Sequence, residues 1–300
     1  MHIQKPYIRE TILLADFHEN LLPMSYQGKS IGGSAYRTSM VLGLKEAGKN
    51  PCDTRDKHAH DCVVLFAGDL RDPGSNDLGA SRVLIHELNR YGCQYFAVGD
   101  HDIDNGLGYF YKMMKGFKGK ILSATIRNDS NNFIPSIRPF DIEYVKPWGI
   151  RIAHVALTNP PRDRRFVPEL NFLDPMDAYM ELLPELKRFN VDVVEVLGHV
   201  SAKVQRAIAR ENRYLREGPV VPVVFGGHSH QPKKGERVGN GLRVEPGTPH
   251  GSNLILVKQE FDAKRREVNT TSELLRIDAN QWEADSVMSA HLADYFAKAG

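Results

Sequence analysis

Short apolar runs, most of them rich in β-branched residues, recur along the chain and alternate with longer amphipathic stretches. The runs at about 10–15, 62–67, 95–98, 120–124, 150–157, 192–197 and 220–226 read as strands. They are continuously rather than alternately apolar, which predicts strands covered on both faces. Helical patterns occupy 33–47, 77–91, 107–116, 175–189 and 201–213. Asp174-Pro175 marks one helix start, with Pro at the first helical position. Strand and helix in alternation predict a layered α/β protein. The stretch 242–277 reads as further strands that close a second sheet, and the remainder, ANQWEADSVMSAHLADYFAKAG, as an amphipathic helix. Trp282, Val287, Met288, Leu292 and Phe296 would dock that helix on the domain or on a partner. The organisation expected is therefore a catalytic domain over 1–277 and a terminal helix over 278–300, with no internal repeat.

Five polar clusters each follow an apolar run: Asp16-Phe17-His18, Gly68-Asp69, Gly99-Asp100-His101-Asp102, Gly198-His199 and Gly227-His228-Ser229-His230. They supply five His and several Asp in places where strands should end. Imidazole and carboxylate together suit divalent first-row metals. Single ligands spread over several strand ends can build one open site at the edge of an α/β sheet, whereas a closed structural zinc site more often uses paired Cys or His at close spacing. The D-x-H and H-x-H spacings would put both side chains on one side of an extended segment. Gly68, Gly99, Gly198 and Gly227 fit sharp turns off a strand.

The series D-x-H, G-D, G-D-H, G-H, G-H-x-H resembles the signature of the calcineurin-like metallophosphoesterases, whose third motif is G-N-H. GGSAYRTSMVLGLKEAG after the first cluster, KILSATI at 120–126 and VEPGTPHGSNLILVKQEFD at 244–262 are similar to the 5'-nucleotidase / 2',3'-cyclic phosphodiesterase branch. The likeness runs from about residue 9 to about residue 277. It implies a four-layer α-β-β-α sandwich with two divalent metal ions, drawn from Mn, Fe, Zn, Ni or Co with Mn or Fe favoured. It implies Asp16, His18 and His230 as ligands of one metal, Asp100, His199 and His228 as ligands of the other, and Asp69 as the bridge. The expected reaction is hydrolysis of a small phosphate ester, a nucleotide or cyclic nucleotide among them, by a metal-bound hydroxide. His101 would protonate the leaving group and Asp104 would orient it. Asp100 stands where the family has Asn. Its extra charge leads to an expected preference for diesters or a trivalent iron, unless it binds as Asn would. The chain ends where that branch's C-terminal nucleoside-clamping domain would begin, so poor base selectivity is expected. The alternative function is a catalytically weak scaffold of the same fold.

Thirty-nine basic residues against 37 acidic ones leave a formal charge of +2. So balanced a chain is not expected to bind a nucleic-acid polymer. No apolar stretch reaches the ~18 residues of a membrane span, and no signal-peptide run precedes the first cluster, so the chain as given reads as cytoplasmic. Three cysteines at unrelated spacings predict no disulfide framework. A homo-oligomer through the terminal helix is the remaining partner expectation. Among other residues, His154 reads as a packed strand residue, His58 and His60 as solvated, and Asp102 as facing solvent or capping the next turn. His250 is a candidate substrate contact. Arg162, Arg164 and Arg165 read either as a solvated loop or, with Arg162 and Arg165 foremost, as a phosphate clamp.

Overall fold

The computed structural model describes residues 7–48, 60–146, 148–211, 223–239, 241–247, 251–262, 264 and 267–299. In chain order the first half forms β1 (Tyr7–Leu14), β2 (Met24–Tyr26), β3 (Lys29–Ile31), α1 (Ser34–Gly48), β4 (His60–Phe66), α2 (Leu78–Arg90), β5 (Cys93–Ala97) and α3 (Asp100–Ile103). There follow α4 (Leu107–Met113), β6 (Lys120–Leu122), β7 (Ile126–Asn128), β8 (Phe140–Val145), β9 (Ile150–Thr158), β10 (Leu170–Phe172) and α5 (Pro175–Arg188). The chain closes with β11 (Val193–His199), α6 (Ala202–Arg210), β12 (Val223–Gly227), β13 (Lys233–Val238), β14 (Gly241–Glu245), β15 (Asn253–Phe261), β16 (Glu267–Arg276) and α7 (Ser286–Ala299). One sheet has the order β16-β15-β1-β4-β5-β6 and the other β13-β14-β12-β11-β9-β8.

Both sheets are parallel at their centres, as the continuous apolar runs predict. Alternate residues of each central strand enter different cores. On β1, Ile12 and Leu14 pack under α1, α2 and α7, while Leu13 faces the opposite sheet with Leu65, Ala97, Leu197 and Phe225. On β11, Val194 and Val196 lie under α5 and α6, and Leu197 faces inward. The result is the expected four-layer α-β-β-α sandwich. One expectation is corrected. The 242–277 stretch is divided between the sheets: β14 joins the second, while β15 and β16 extend the first, with β15 antiparallel to β1. Edge strand β8 (FDIEYV) adds to the expected strands: Phe140 and Ile142 pack on the helix side while Asp141 and Glu143 meet Tyr95 and Arg9 between the sheets, so it lacks the continuous apolar run of the central strands. Helix α7 docks within the chain through Met288 and Leu292 against the α1–α2 layer, and Val287 and Phe296 stay exposed. No helix among the described residues is long and apolar enough to cross a membrane.

The space between the sheets also holds charge. Arg9 of β1 is fully buried and pairs with Glu195 of β11 at 3.0 Å and Glu143 of β8 at 3.0 Å. His154 lies between the same two carboxylates, at 3.0 Å from Glu143 and 3.1 Å from Glu195, with its ring stacked on Tyr95. It is a packed strand residue, as expected, but one charged from both sides. Burial alone would lower its pKa, yet hydrogen bonding to Glu143 and Glu195 raises it. Burial would likewise raise Glu143, but Arg9 and His154 hold it at about 2.

Two outcomes follow for stability. Glu195→Ala removes the fully buried one of the two carboxylates that Arg9 and His154 share, leaving Glu143 to face both, and should cost about 3–5 kcal/mol in denaturant unfolding. A raised imidazole contributes stability fully below its unfolded pKa near 6.5 and loses it as pH rises. A depressed carboxyl contributes above about 4.5 and loses it toward about 2. The cluster is therefore most favourable between roughly pH 4.5 and 6.5. His154→Gln should make the decline on the alkaline side shallower, read as unfolding free energy against pH. An unchanged slope would remove His154 as its source.

Candidate metal centre

All five clusters meet at one edge of the sandwich, at the carboxyl ends of parallel strands from both sheets. Asp16 and His18 follow β1, Asp69 follows β4, and Asp100 and His101 open α3 just after β5. His199 is the last residue of β11, and His228 and His230 follow β12. The two D-x-H-type segments are not extended, contrary to expectation. Asp16, His18, Glu19, Asp69, His228 and His230 have φ of 54°, 46°, 52°, 59°, 77° and 53°. This left-handed backbone is uncommon outside Gly and is tolerated best by Asp, Asn and His. Main-chain bonds hold it: Asp16 N–H donates to Gly68 O at 2.9 Å and Glu19 N–H to Leu70 O at 2.9 Å. His228 N–H donates to Asp16 Oδ1 at 3.0 Å. Left-handed turns, rather than a pleat, aim the donors at a common point.

Of the four glycines expected to turn sharply, Gly68 does so, with φ of +89°. Gly99 is required for a different reason: a Cβ there would fall 2.1 Å from Asp69 Oδ1. Gly198 and Gly227 remain inside β11 and β12.

The seven expected ligands are brought together. Asp16, His18 and His230 form one group, and Asp100, His199 and His228 a second; Asp69 joins Asp16 and His199 in a third, and Asp100 and His101 in a fourth. Within each group the donor atoms all lie within 4.8 Å of one another. His18 Nε2 and His230 Nε2 are 3.0 Å apart. Asp100 Oδ1 is 3.0 Å from both His199 Nε2 and His228 Nδ1, and Asp69 Oδ2 is 3.1 Å from His199 Nε2. Donors at right angles around a cation, each ~2.1 Å away, stand ~3 Å apart. Asp16 Oδ2 is buried without a hydrogen-bond partner. The charges fit as well. Burial opposes protonation of His199, yet Asp69 and Asp100 raise its pKa well above the usual imidazole value. Burial would also raise the Asp100 carboxyl, but His199 and His228 hold it far below the ordinary range. The carboxylates draw positive charge inward, and a pair of dications would satisfy that demand. The donor set and its spacing fit two metal ions.

His101 and Asp104 lie one turn apart, with Asp104 Oδ2 3.3 Å from His101 Nδ1. The other ring nitrogen, Nε2, is 3.8 Å from Asp100 Oδ2 and 4.0 Å from Asp69 Oδ2. Burial lowers the imidazole's pKa, but Asp104, Asp69 and Asp100 bring it up to about 9. The donors on the Asp16, Asp69 and His199 side are sealed, whereas His101, His228 and His230 keep 26%, 30% and 39% of their side-chain surface. A substrate would approach over that face.

Several supporting residues escaped sequence reasoning. Asp102, expected to face solvent or to cap the next turn, is fully buried and bonds back to earlier amides instead. Its carboxylate accepts from Gly99 N–H at 2.8 Å, Leu70 N–H at 2.8 Å and Asp69 N–H at 3.0 Å. Burial and then Asp69 push its pKa up. Asn159, after β9, places Nδ2 2.9 Å from His228 Nε2. Below the H-x-H segment, Glu245 accepts from Ser229 N–H at 3.0 Å and Ser229 Oγ at 2.6 Å, and also from Arg243. Arg243 Nε donates to Gln205 Oε1 at 2.6 Å, and the Gln205 amide donates to Val200 O at 2.8 Å and Gly227 O at 3.0 Å. The sequence signal available was Glu245 within VEPG; nothing marked Gln205. Arg162 and Arg165 are exposed, and Arg165 folds back on Asp163 at 2.5 Å rather than toward the carboxylate cluster. His250 and His58 lie outside the described residues.

A two-sheet sandwich with a His/Asp centre at its strand ends defines the class of metal-dependent phosphoesterases. Consistent with this, the family model described as calcineurin-like phosphoesterase matches residues 11–232, and the chain belongs to that family. The endonuclease YhcR of Bacillus subtilis (strain 168) is 25% identical over 256 residues, covering 78% of this chain and 20% of that protein. The 5'-nucleotidase of Vibrio parahaemolyticus is 28% identical over 187 residues, covering 57% of this chain and 32% of that one. The chain thus spans a third or less of the length of these curated relatives. The 5'-nucleotidase precursor from Thermus thermophilus superposes over 98% of this chain and 59% of its own, with a TM-score of 0.75 and 21% identity. The calcineurin-like phosphoesterase YfkN from Bacillus subtilis covers 98% of both chains at a TM-score of 0.75 and 15% identity. These two structures carry the fold.

Asp102→Ala removes one acceptor from three main-chain donors. It should destabilise the protein by about 3–5 kcal/mol, at roughly 1–1.5 kcal/mol per bond. Asp102→Asn, which keeps one oxygen, should lose less. Denaturant unfolding of the metal-free protein reads both, and a loss under about 1 kcal/mol for the alanine variant would show that the loops hold without it.

Proposed function

We propose that this chain hydrolyses a small phosphate ester, with nucleotides and cyclic nucleotides as the leading class, at a centre of two divalent cations. In this reading Asp16, His18 and His230 hold one ion, Asp100, His199 and His228 hold the other, and Asp69 lies between them. Mn or Fe is favoured over Zn, Ni or Co. The observation that carries the proposal is the convergence of seven donor side chains from both sheets, with the His101–Asp104 pair on their open side. When bound, the two cations supply charge neutralisation at the phosphoryl oxygens and an acidified water as nucleophile. His101 holds a proton at Nε2 for the leaving oxygen, because Asp104 occupies Nδ1. The left-handed turns fix Asp16 and His18 without relying on flexible side chains. The sealed Asp69 and His199 exclude water from the inner side.

Asp100 sharpens the expected substrate. Three ionised carboxylates, Asp16, Asp69 and Asp100, then face a dianionic monoester, where an Asn would leave two. Like charges at this range disfavour the dianion more than a monoanionic diester. Asp100→Asn should therefore gain monoester turnover relative to diester turnover; an unchanged ratio, or movement toward the diester, defeats the electrostatic argument. Because one relative is an endonuclease, an oligonucleotide belongs in the same substrate panel. The convergence of these donors favours hydrolysis over the scaffold alternative.

Two variants test the centre itself. Asp69→Ala should abolish binding of both ions in metal analysis, because their mutual repulsion is left unscreened. Tight retention of two ions by that variant would sink the assignment. His101→Ala should keep both ions and lose about 10²–10⁴ in turnover of esters with poor leaving groups, with a smaller loss for a nitrophenyl ester. An equal loss for both would exclude proton donation by His101.

A further inference from the structure

The segment that follows Asp69 carries an arginine that the centre does not use directly. Arg71 has no exposed side-chain surface, so its guanidinium cannot reach a substrate phosphate. Its donors point elsewhere. Nη1 donates to the main-chain carbonyl of His101 at 2.5 Å and to Asp104 Oδ1, and Nη2 donates to the carbonyl of Ser75. The guanidinium also lies over the ring of Tyr109, 4.9 Å from its centroid.

These partners are specific. Helix α3 has only four residues, so its last carbonyls lack the next turn that would satisfy them. The carbonyl of His101 is one of these, and Arg71 supplies the missing donor. Asp104 is shared: Oδ1 faces Arg71 and Oδ2 faces His101 Nδ1. A carboxylate is planar, so fixing one oxygen on a rigid fork also fixes the direction of the other. Arg71 therefore holds both the main chain and the side-chain partner of one residue, His101. It does so from the loop that carries Asp69, whose own Oδ1 accepts from His101 N–H at 3.1 Å. Lysine could keep the charge at this position but not the fork, because an ammonium is a point donor on a flexible stem.

We propose that Arg71 is the positioning residue of proton donation: it locks Asp104 and the His101 main chain into one unit, so that His101 Nε2 faces the leaving oxygen. This rests on the reading of His101 as the proton donor, and the test separates the two. The enzyme is loaded with the metal that supports turnover. Arg71→Met, Arg71→Lys, His101→Ala and the Arg71→Met/His101→Ala double variant are compared on an alkyl and a 4-nitrophenyl ester of the class turned over. Metal content is measured for each.

With two ions retained, Arg71→Met should lower kcat/KM for the alkyl ester at least tenfold more than for the nitrophenyl ester. Arg71→Lys should fall between it and wild type. The double variant should be no worse than His101→Ala alone, because the two residues act as a unit. Equal losses on both esters, or losses that multiply in the double variant, overturn the inference and reduce Arg71 to a helix cap. If Arg71→Met fails to fold or to hold its metals, the lysine variant carries the same comparison, and an unchanged ester ratio there overturns the inference equally. Should His101→Ala itself leave the ratio unchanged, the proton-donor reading fails first, and the role of Arg71 falls with it.

Discussion

Asp102 sits where two loops cross, and a single carboxylate there collects the amides of Asp69, Leu70 and Gly99. Those three amides belong to the chain leaving β4 and the chain leaving β5. Bridging them brings the two strand ends into van der Waals contact, which is why no side chain fits at Gly99. Everything on the catalytic side is referenced to this crossing. Asp69 gets its main-chain position from it, and His101 then hangs from Asp69. Asp100 starts a helix one residue beyond Gly99. An acceptor that satisfies three buried donors is strongly favoured over water at that depth, and this lets a four-residue helix exist with so little of its own hydrogen bonding.

The second constraint is the docking of the two sheets. Asp16, Asp69 and Asp100 come from the first sheet, and His199, His228 and His230 from the second. The centre therefore has no meaning within either sheet alone. Apolar packing between the sheets is non-directional and would tolerate sliding. Arg9, Glu195, Glu143 and His154 add direction, because a forked cation and its carboxylates match in one register. Within the second sheet, the Gln205–Arg243–Glu245 chain reaches the segment after β12 that carries Ser229, so the H-x-H segment is held from below.

Much of this was legible in the residues themselves. Central strands buried on both faces leave a continuous apolar run, and donors at their ends appear as polar clusters in a fixed order. The central strands of both sheets came from that pattern, and so did the five clusters; the choice of seven ligands within them came from the resemblance to the calcineurin-like metallophosphoesterases. What was missed shares a cause. Asp102, Asn159, Gln205 and Arg243 act through contacts between segments distant in the chain, and nothing local distinguishes them from surface residues of the same type. Asp102 was misread because a carboxylate two positions after a ligand looks like a turn cap until its three amides are seen. The placement of β15 beside β1 was missed because strand patterns do not name their partners. The left-handed segments were read as extended because spacing alone does not reveal the sign of φ.

Those left-handed residues have an implication of their own. Asp16, His18, Asp69, His228 and His230 occupy a backbone region where Gly would sit at ease. Replacing any of them by Gly would relax the main chain and at the same time delete a donor. For the backbone of these turns, then, the centre is a burden, offset in part by the amides of His228 and His101 that Asp16 and Asp69 accept. A chain that only needed to be a rigid body would be expected to shed these side chains one by one. That all five stand together in a strained conformation marks the edge of the sandwich as a place where folding has been made to yield to chemistry.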